Sequence, residues 1–197
     1  TNEMSYYLSW STNGLINEYC NEADAIYEGK AVKLMPLEGI EKIVIEGESF
    51  EAFNTSGGCA TMCETYENQV ENLSYKTIRY PGHVNHMKFL FNDLHLKKNK
   101  EILEKLFDKE VPRTKNDVII FFVKVIGIID GVLQEKTYLR KIYGNDKLSA
   151  IQLTTASGVC SVLKMHLDGK MKGNGFVKQE SLSWQDFLDN DFGKVYA

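Results

Sequence analysis

The chain has 197 residues, of which 43% are hydrophobic and 25% are charged, and its formal net charge is −4. This length fits one domain, or one and a half, and the apolar content can fill a sizeable core. The acidic balance argues against general nucleic-acid binding, which needs a clustered basic surface. No apolar run reaches the length of a membrane-spanning helix and no signal peptide is visible, so we expect a cytoplasmic protein without a membrane partner.

In chain order, the first half of the sequence reads as short strands and helices separated by polar turns. The predicted strands are residues 5–10, 25–27, 31–35, 42–45, 50–53 and 73–80. A short helix is predicted to end near Tyr19, and a helix of about three turns is predicted to start at Gly57-Gly58. A further helix follows His83 because apolar residues repeat there at helical spacing, namely Val84, Met87, Leu90, Phe91 and Leu94.

The second half contains a long hairpin, with strands at residues 118–129 and 132–143 joined by the favoured turn pair Asp130-Gly131. Strands that come largely as hairpins, with helices between them, predict the α+β class. We therefore expect a mixed, mainly antiparallel sheet with helices packed on one face.

Two helical segments flank this hairpin. The lysine-rich segment 97–109 is predicted to present three apolar residues on one face, Ile102, Leu103 and Leu106. Residues 149–167 predict a helix that is apolar on nearly all sides and therefore buried against the sheet. Residues 184–188 predict a last short helix.

Polar side chains and glycines gather in the segment 53–83, at the ends of predicted strands and at the start of predicted helices. They are Thr55, Ser56, Gly57, Gly58, Arg79, Tyr80 and His83. Small-molecule sites are usually built where such groups converge at element ends. The segment is therefore the candidate site.

The same segment resembles a known family. The runs Thr-Ser-Gly-Gly at residues 55–58 and Tyr-Lys-Thr-Ile-Arg-Tyr-Pro-Gly-His at residues 75–83 are similar to the C-terminal substrate domain of the saccharopine dehydrogenase-like family. The pattern is closest to the bacterial lysine 6-dehydrogenase branch. Residues 10–19 resemble the opening of that domain, and residues 154–158 and 175–180 resemble its closing portion.

The resemblance implies one substrate-binding and dimerisation domain over residues 1–197. The complete enzyme would be an oxidoreductase that uses NAD or NADP on a lysine-related amine or amino acid. No Gly-x-Gly-x-x-Gly follows a predicted strand, and Gly173-Asn174-Gly175 lies in a polar loop. We therefore expect the N-terminal cofactor domain to be absent from this chain, which begins with threonine, and the chain alone to bind no cofactor and to be inactive.

Amine oxidation requires a held carboxylate and a neutral amine. Arg79 can hold a carboxylate through two parallel hydrogen bonds. The N–H groups of Gly57 and Gly58 can hold another at a helix start, together with two hydroxyl groups, those of Thr55 and Ser56. The structural alternatives are that Arg79 is a surface residue of a strand, and that Ser56, Gly57 and Gly58 form only a helix cap and a turn.

His83 is the candidate proton acceptor, because an imidazole with an ordinary pKa near 6.5 suits deprotonation of an ammonium. Tyr80 precedes it in the same turn and is the second candidate catalytic residue. Glu18 can hold the cationic amine, and Tyr19 or Trp10 can form a pocket wall. The alternatives are a helix cap for His83, an exposed helical charge for Glu18 and a core position for Trp10.

The four cysteines, Cys20, Cys59, Cys63 and Cys160, include no Cys-x-x-Cys pair and read as reduced, packed thiols. The functional alternative is a zinc site formed by Cys59, Cys63, His83 and His86. The sequence spacing of these four residues does not match that of zinc knuckles, so we expect no metal.

Three functions therefore stay open. The favoured one is the substrate domain of a dehydrogenase, acting as a homodimer on a small amino-acid-like substrate. The second is a stand-alone amino-acid or polyamine binding module without catalysis, and the third is a zinc hydrolase.

Overall fold

The computed structural model of the protein describes residues 3–171 and 175–197. Gly173 and Asn174, which the sequence places in a polar loop, lie outside these residues. The chain divides into two compact units, Thr1–Arg113 and Thr114–Ala197. The predicted α+β class is confirmed, and the named strands of the described residues pair antiparallel. They form three separate sheets rather than one mixed sheet.

The first unit contains three short strands in one sheet, a two-stranded hairpin and four α-helices among its described residues. The helices are α1 (Thr12–Cys20), α2 (Met62–Tyr66), α3 (His83–Lys88) and α4 (Lys100–Glu110). The strands are β1 (Ala23–Tyr27), β2 (Lys30–Leu34), β3 (Glu41–Ile45), β4 (Glu48–Asn54) and β5 (Lys76–Arg79). A π-helical turn, Phe89–Asp93, continues α3.

Strand β4 is the central strand of the three-stranded sheet, and its register with β5 places the site residues. Glu51 lies opposite Arg79, and Phe53 lies opposite Thr77. Side chains alternate between the two faces of a strand, so these four residues share one face. That face packs on the helices, because Phe53 is fully buried and belongs to the main apolar cluster with residues of α1, α3 and α4.

Glu51 caps helix α3 from outside that helix. The residue before α3, Gly82, has a left-handed backbone and offers no side chain to cap the helix. The buried Glu51 carboxylate instead accepts hydrogen bonds from the backbone N–H groups of Gly82 (3.0 Å) and Val84 (2.6 Å). A helix start leaves such N–H groups without partners within the helix, and a carboxylate there also complements the helix dipole.

The second unit is built on the predicted hairpin. Strands β6 (Val118–Ile129) and β7 (Val132–Tyr143) pair along their whole length, with Ile129 opposite Val132. Asp130 and Gly131 both have positive φ, as the favoured two-residue turn requires. Helices α5 (Ala150–Leu167) and α6 (Trp184–Asp189) follow.

Helix α5 buries mainly small and polar residues, although the sequence predicts a helix that is apolar on nearly all sides. Its buried residues are Ala150, Thr154, Ser157, Ser161 and Met165. The C-terminal segment covers this side, since Tyr196 donates to the Thr154 carbonyl at 2.6 Å and Asn190 donates to the Ser161 hydroxyl at 2.7 Å. Three apolar side chains of α5 are instead more than half exposed, namely Val159, Leu163 and Leu167.

Three further sequence predictions need correction. Residues 5–10 form no strand; Leu8 makes an isolated bridge to Arg113. Helix α4 buries Leu103 and Phe107, whereas Ile102 and Leu106, predicted to share a face with Leu103, are exposed.

The third correction concerns the helix expected at Gly57-Gly58. The chain is left-handed at Gly57 (φ 91°) and again at Ala60 (φ 45°), which interrupts a right-handed helix. Helix α2 therefore begins only at Met62 and has five residues.

The cap predicts a stability effect. Glu51→Ala removes the acceptor of two N–H groups at a buried helix start, so the free energy of unfolding should fall by roughly 1–3 kcal/mol. Glu71→Ala, which changes an exposed carboxylate outside the named elements, is the matched control. Urea denaturation of both variants measures the difference, and equal stability of the two would rule out this capping role.

Candidate functional site

Arg79 ends strand β5 and is partly exposed. Its Nε donates to the Tyr19 hydroxyl at 3.2 Å, and its Nη1 donates to the Ile78 carbonyl at 3.0 Å. The guanidinium lies over the Tyr6 ring, 5.4 Å from its centroid, in a cation–π contact. Within the described part of the chain, no carboxylate lies within ion-pair distance of Arg79, whereas Arg113 pairs with Asp108 at 2.8 Å. Arg79 is therefore a partly buried cation held without a counter-ion.

His83 opens helix α3 and has no exposed surface. Its Nδ1 lies 2.9 Å from the Met4 carbonyl, and its Nε2 lies 3.0 Å from the Tyr19 hydroxyl. Burial, helped by the nearby Arg79 cation, lowers the pKa of His83 to about 3. The imidazole is therefore neutral and both nitrogens are occupied. Proton acceptance from a bound amine stays a prediction, and this burial does not favour it.

Aromatic rings enclose the His83 imidazole. The Tyr6 ring centroid is 5.1 Å away, that of Tyr19 is 5.8 Å away, and Phe53 stacks at 6.4 Å. Burial also raises the pKa of Tyr19 to about 12, with the Arg79 charge opposing the shift. Tyr19 thus keeps its proton at neutral pH.

The hydroxyl groups of Thr55 and Ser56 are directed into the protein. Thr55 is buried, and its hydroxyl lies 2.6 Å from that of Thr77. Ser56 packs on the end of α1, where its backbone N–H donates to the Glu18 carbonyl at 3.1 Å. Their role as substrate ligands stays a prediction, and these contacts give both residues a structural function.

Gly57 and Gly58 are each required to be glycine, for different steric reasons. Gly57 needs its positive φ of 91°, and a Cβ there would meet no atom. A Cβ on Gly58 would instead lie 2.0–2.3 Å from ring carbons of Tyr75, so that ring lies directly on the Gly58 backbone. Because α2 starts only at Met62, neither glycine lies in its first turn, and the predicted anion site at these N–H groups lacks its helical basis.

Glu18 lies near the arginine, and Trp10 packs on helix α1. Glu18 is partly exposed, and burial raises its pKa while the Arg79 charge opposes that shift. The carboxylate is therefore within the electrostatic reach of Arg79 although it is not ion-paired with it. The Trp10 ring covers Gly14 of α1, where a Cβ would lie 2.5 Å from the indole, and it packs partly buried against the main core.

Tyr80 lies apart from this group. Its side chain is 43% exposed and its ring centroid is 5.3 Å from that of Phe50. Phe50 and Glu51 are consecutive in β4, so they face opposite sides of the sheet. The structure therefore joins Tyr80 to the face that does not carry Arg79, and its catalytic role stays a prediction.

The zinc alternative has no geometric support. Cys59 and Cys63 are buried in a small cluster with Ile26, whereas His83 belongs to the enclosure described above. Among the described residues, no group of three or more His, Cys, Asp and Glu side chains is arranged to hold a metal ion. Burial raises the pKa of Cys59 to about 12, so its thiol is protonated at neutral pH.

Sequence reasoning missed part of the site. The sequence pattern indicates no site role for Tyr6 or Glu51, and it indicates Tyr19 only as a pocket wall. Alternation along β5 places Thr77 and Arg79 on one strand face, but it carries no signal for these three residues, which are distant in the sequence.

Fold and site together define an α+β protein with an arginine that lies among aromatic rings and has no ion-pair partner in the described part of the chain. Residues 1–190 match the family model of the saccharopine dehydrogenase C-terminal domain, so the chain belongs to this family. The resemblance seen in the sequence is thereby confirmed. None of the helices in the described residues is both long and apolar enough to cross a membrane.

The fold is also similar to a solved structure. Saccharopine dehydrogenase (L-Glu forming) from Saccharomyces cerevisiae, in its apo form, superposes with a TM-score of 0.63 and 16% sequence identity. The match covers 89% of this chain and 57% of that chain. At this identity the likeness shows the fold.

The contact between Gly58 and Tyr75 gives a prediction. Gly58 has no positive φ, so alanine is tolerated by the backbone and the cost of Gly58→Ala comes from the Tyr75 ring. The substitution should lower the free energy of unfolding by about 1–3 kcal/mol, as overpacking does. In a Tyr75→Ala background the same change should cost much less. A double-mutant cycle by thermal or urea unfolding tests this, and an equal cost in both backgrounds would contradict it.

Proposed function

We propose that this chain is the substrate-binding domain of a saccharopine dehydrogenase-like oxidoreductase, in which Arg79 binds a substrate carboxylate. The observation that carries the proposal is the partly buried guanidinium without a carboxylate partner in the described residues. Removing a cation from water without a partner is costly. A ligand carboxylate would supply the missing charge.

The geometry of Arg79 suits a planar anion. Its Nε and one Nη1 hydrogen are used by Tyr19 and Ile78. Nη2 and the second Nη1 hydrogen form the remaining fork, which matches the two oxygens of a carboxylate. The guanidinium is planar by resonance, and the Tyr6 ring lies against it, 5.4 Å from Cζ to the ring centroid.

The neighbouring Glu18 supports an amino acid as the ligand. Its carboxylate lies near Arg79 without neutralising it, and it is partly exposed. A zwitterion with its carboxylate on Arg79 would bring a positively charged amine near Glu18. This pair of charges favours an amino acid over a simple organic acid.

NAD or NADP, which the family implies for the complete enzyme, does not fit the described residues. Dinucleotides bind at the carboxyl ends of parallel strands, beside a glycine-rich turn. The named strands here pair antiparallel. We therefore place the cofactor mainly on a separate domain and assign the described residues to substrate binding. A cytoplasmic location fits such an enzyme.

The arginine gives the direct test. Arg79→Lys keeps the charge but loses the planar fork, so binding should weaken by roughly 1.5–3 kcal/mol. Calorimetric titration of the full chain with saccharopine measures this, and Arg140→Lys is the matched control because Arg140 is exposed in the second unit. Thermal melts show whether either variant is destabilised. Equal affinity of wild type and Arg79→Lys would remove Arg79 from the site.

We also propose that the chain forms a homodimer through one face of the β6–β7 hairpin. Side chains alternate between the two faces of the hairpin, and one face, here called the open face, carries six apolar residues. They are Ile120, Phe122, Ile126, Ile128, Leu133 and Leu139. Ile128 and Leu133 lie directly opposite each other and are 74% and 71% exposed. An apolar face of this kind marks an interaction surface.

A second copy of the chain fits the open face by charge as well. Lys124 and Glu135 lie on it 3.6 Å apart. A twofold axis places identical faces together, so each lysine could meet the partner's glutamate. The opposite face is partly covered within its own unit, where Phe121 contacts Tyr196 and Tyr138 contacts Trp184.

Charge placed on the open face should separate the dimer. Ile126→Lys combined with Ile128→Lys introduces buried like charges at a twofold contact, so light scattering should give a monomer mass at high micromolar concentration. Val44→Lys, an equally exposed apolar position in the first unit, should leave the dimer intact. A monomeric wild type, or a variant that stays dimeric, would contradict this interface.

A further inference from the structure

The hydrogen bonds from Arg79 to Met4 form one chain, and its direction can be assigned. The Met4 carbonyl only accepts, so His83 Nδ1 must carry the proton of their 2.9 Å contact. A neutral imidazole then has a lone pair on Nε2, so the Tyr19 hydroxyl donates to it at 3.0 Å. With its proton committed to His83, the Tyr19 oxygen accepts from Arg79 Nε at 3.2 Å.

The surroundings of His83 hold it in this neutral tautomer. The titratable groups that face it are Arg79, Tyr19, Tyr6 and His86. The Arg79 cation among them opposes a second positive charge on the ring. His83 is also fully buried, and desolvation disfavours its charged form.

We infer that Tyr19 and His83 are positioning residues that fix the plane in which Arg79 presents its guanidinium fork to a substrate carboxylate. Tyr19 holds Nε directly, and His83 acts through Tyr19. Tyr19 comes from α1 and His83 from α3, so the chain of bonds links both helices to the end of β5. This inference rests on the proposed function of Arg79.

The tautomer is tested first, without any ligand. The sequence contains four histidines, so long-range ¹H–¹⁵N spectra of the ring nitrogens can resolve each one. His83 should keep the pattern of a neutral ring with the proton on Nδ1 from pH 5 to pH 8. A charged His83, or a proton on Nε2, would overturn the assigned direction and with it the inference.

The positioning role is tested with Tyr19→Phe, which removes only the hydroxyl. Its affinity for saccharopine should fall by about tenfold, because the Arg79 Nε loses its acceptor and the fork is no longer held. The His83 Nε2 signal should move to the value of a nitrogen without a hydrogen bond, while Nδ1 stays protonated. Tyr27→Phe, an exposed tyrosine of β1, should bind within about twofold of wild type.

Two outcomes separate this inference from the proposed function. If Arg79→Lys binds saccharopine more weakly than wild type but Tyr19→Phe binds it equally well, Arg79 binds substrate and Tyr19 does not position it. If wild type and Arg79→Lys both fail to bind, the proposed function fails, and the positioning role fails with it. If Tyr19→Phe does not fold, the tautomer measurement on the wild type decides.

Discussion

The hydrogen bond between Tyr19 and His83 joins helix α1 to helix α3 across the buried face of β4. Desolvation requires this hydrogen bond, because a histidine with no exposed surface must be neutral and must have both ring nitrogens hydrogen-bonded. The Met4 carbonyl and the Tyr19 hydroxyl meet that need, and Tyr19 in turn holds Arg79. The hydrogen bonds that satisfy the buried imidazole therefore also fix the arginine of the site.

The position of Arg79 could be predicted, but its partners could not. The run of alternating residues before Pro81 places Arg79 at a strand end, where the structure has it. Tyr19 is 60 residues from Arg79 and 64 from His83, and no local pattern reports a contact over such a distance. For the same reason His83, which looks accessible after a Pro-Gly turn, proved to be buried beneath the Tyr6 ring. The Asp130-Gly131 hairpin was predictable because its turn chemistry is local.

Helix α5 shows a second limit of sequence patterns. Its apolar residues surround the helix, which predicts burial on all sides, yet the chain's own C-terminal segment packs on its small residues. A tyrosine and an asparagine approach the helix closely only where Thr154 and Ser161 leave room and offer polar partners. The larger apolar side chains, such as Leu163, remain outside. Size, rather than hydrophobicity, therefore selects the side of α5 that is covered.

The central claim is that Arg79 is a positioned cation reserved for a carboxylate. The chain contains three arginines, Arg79, Arg113 and Arg140, so arginine side-chain NMR can follow each guanidinium separately. The account predicts that saccharopine shifts the Arg79 signals and leaves those of Arg113, already paired with Asp108, and of Arg140 unchanged. Arg79 signals that do not move at about 10 mM saccharopine, a concentration that saturates even a millimolar site, would contradict it.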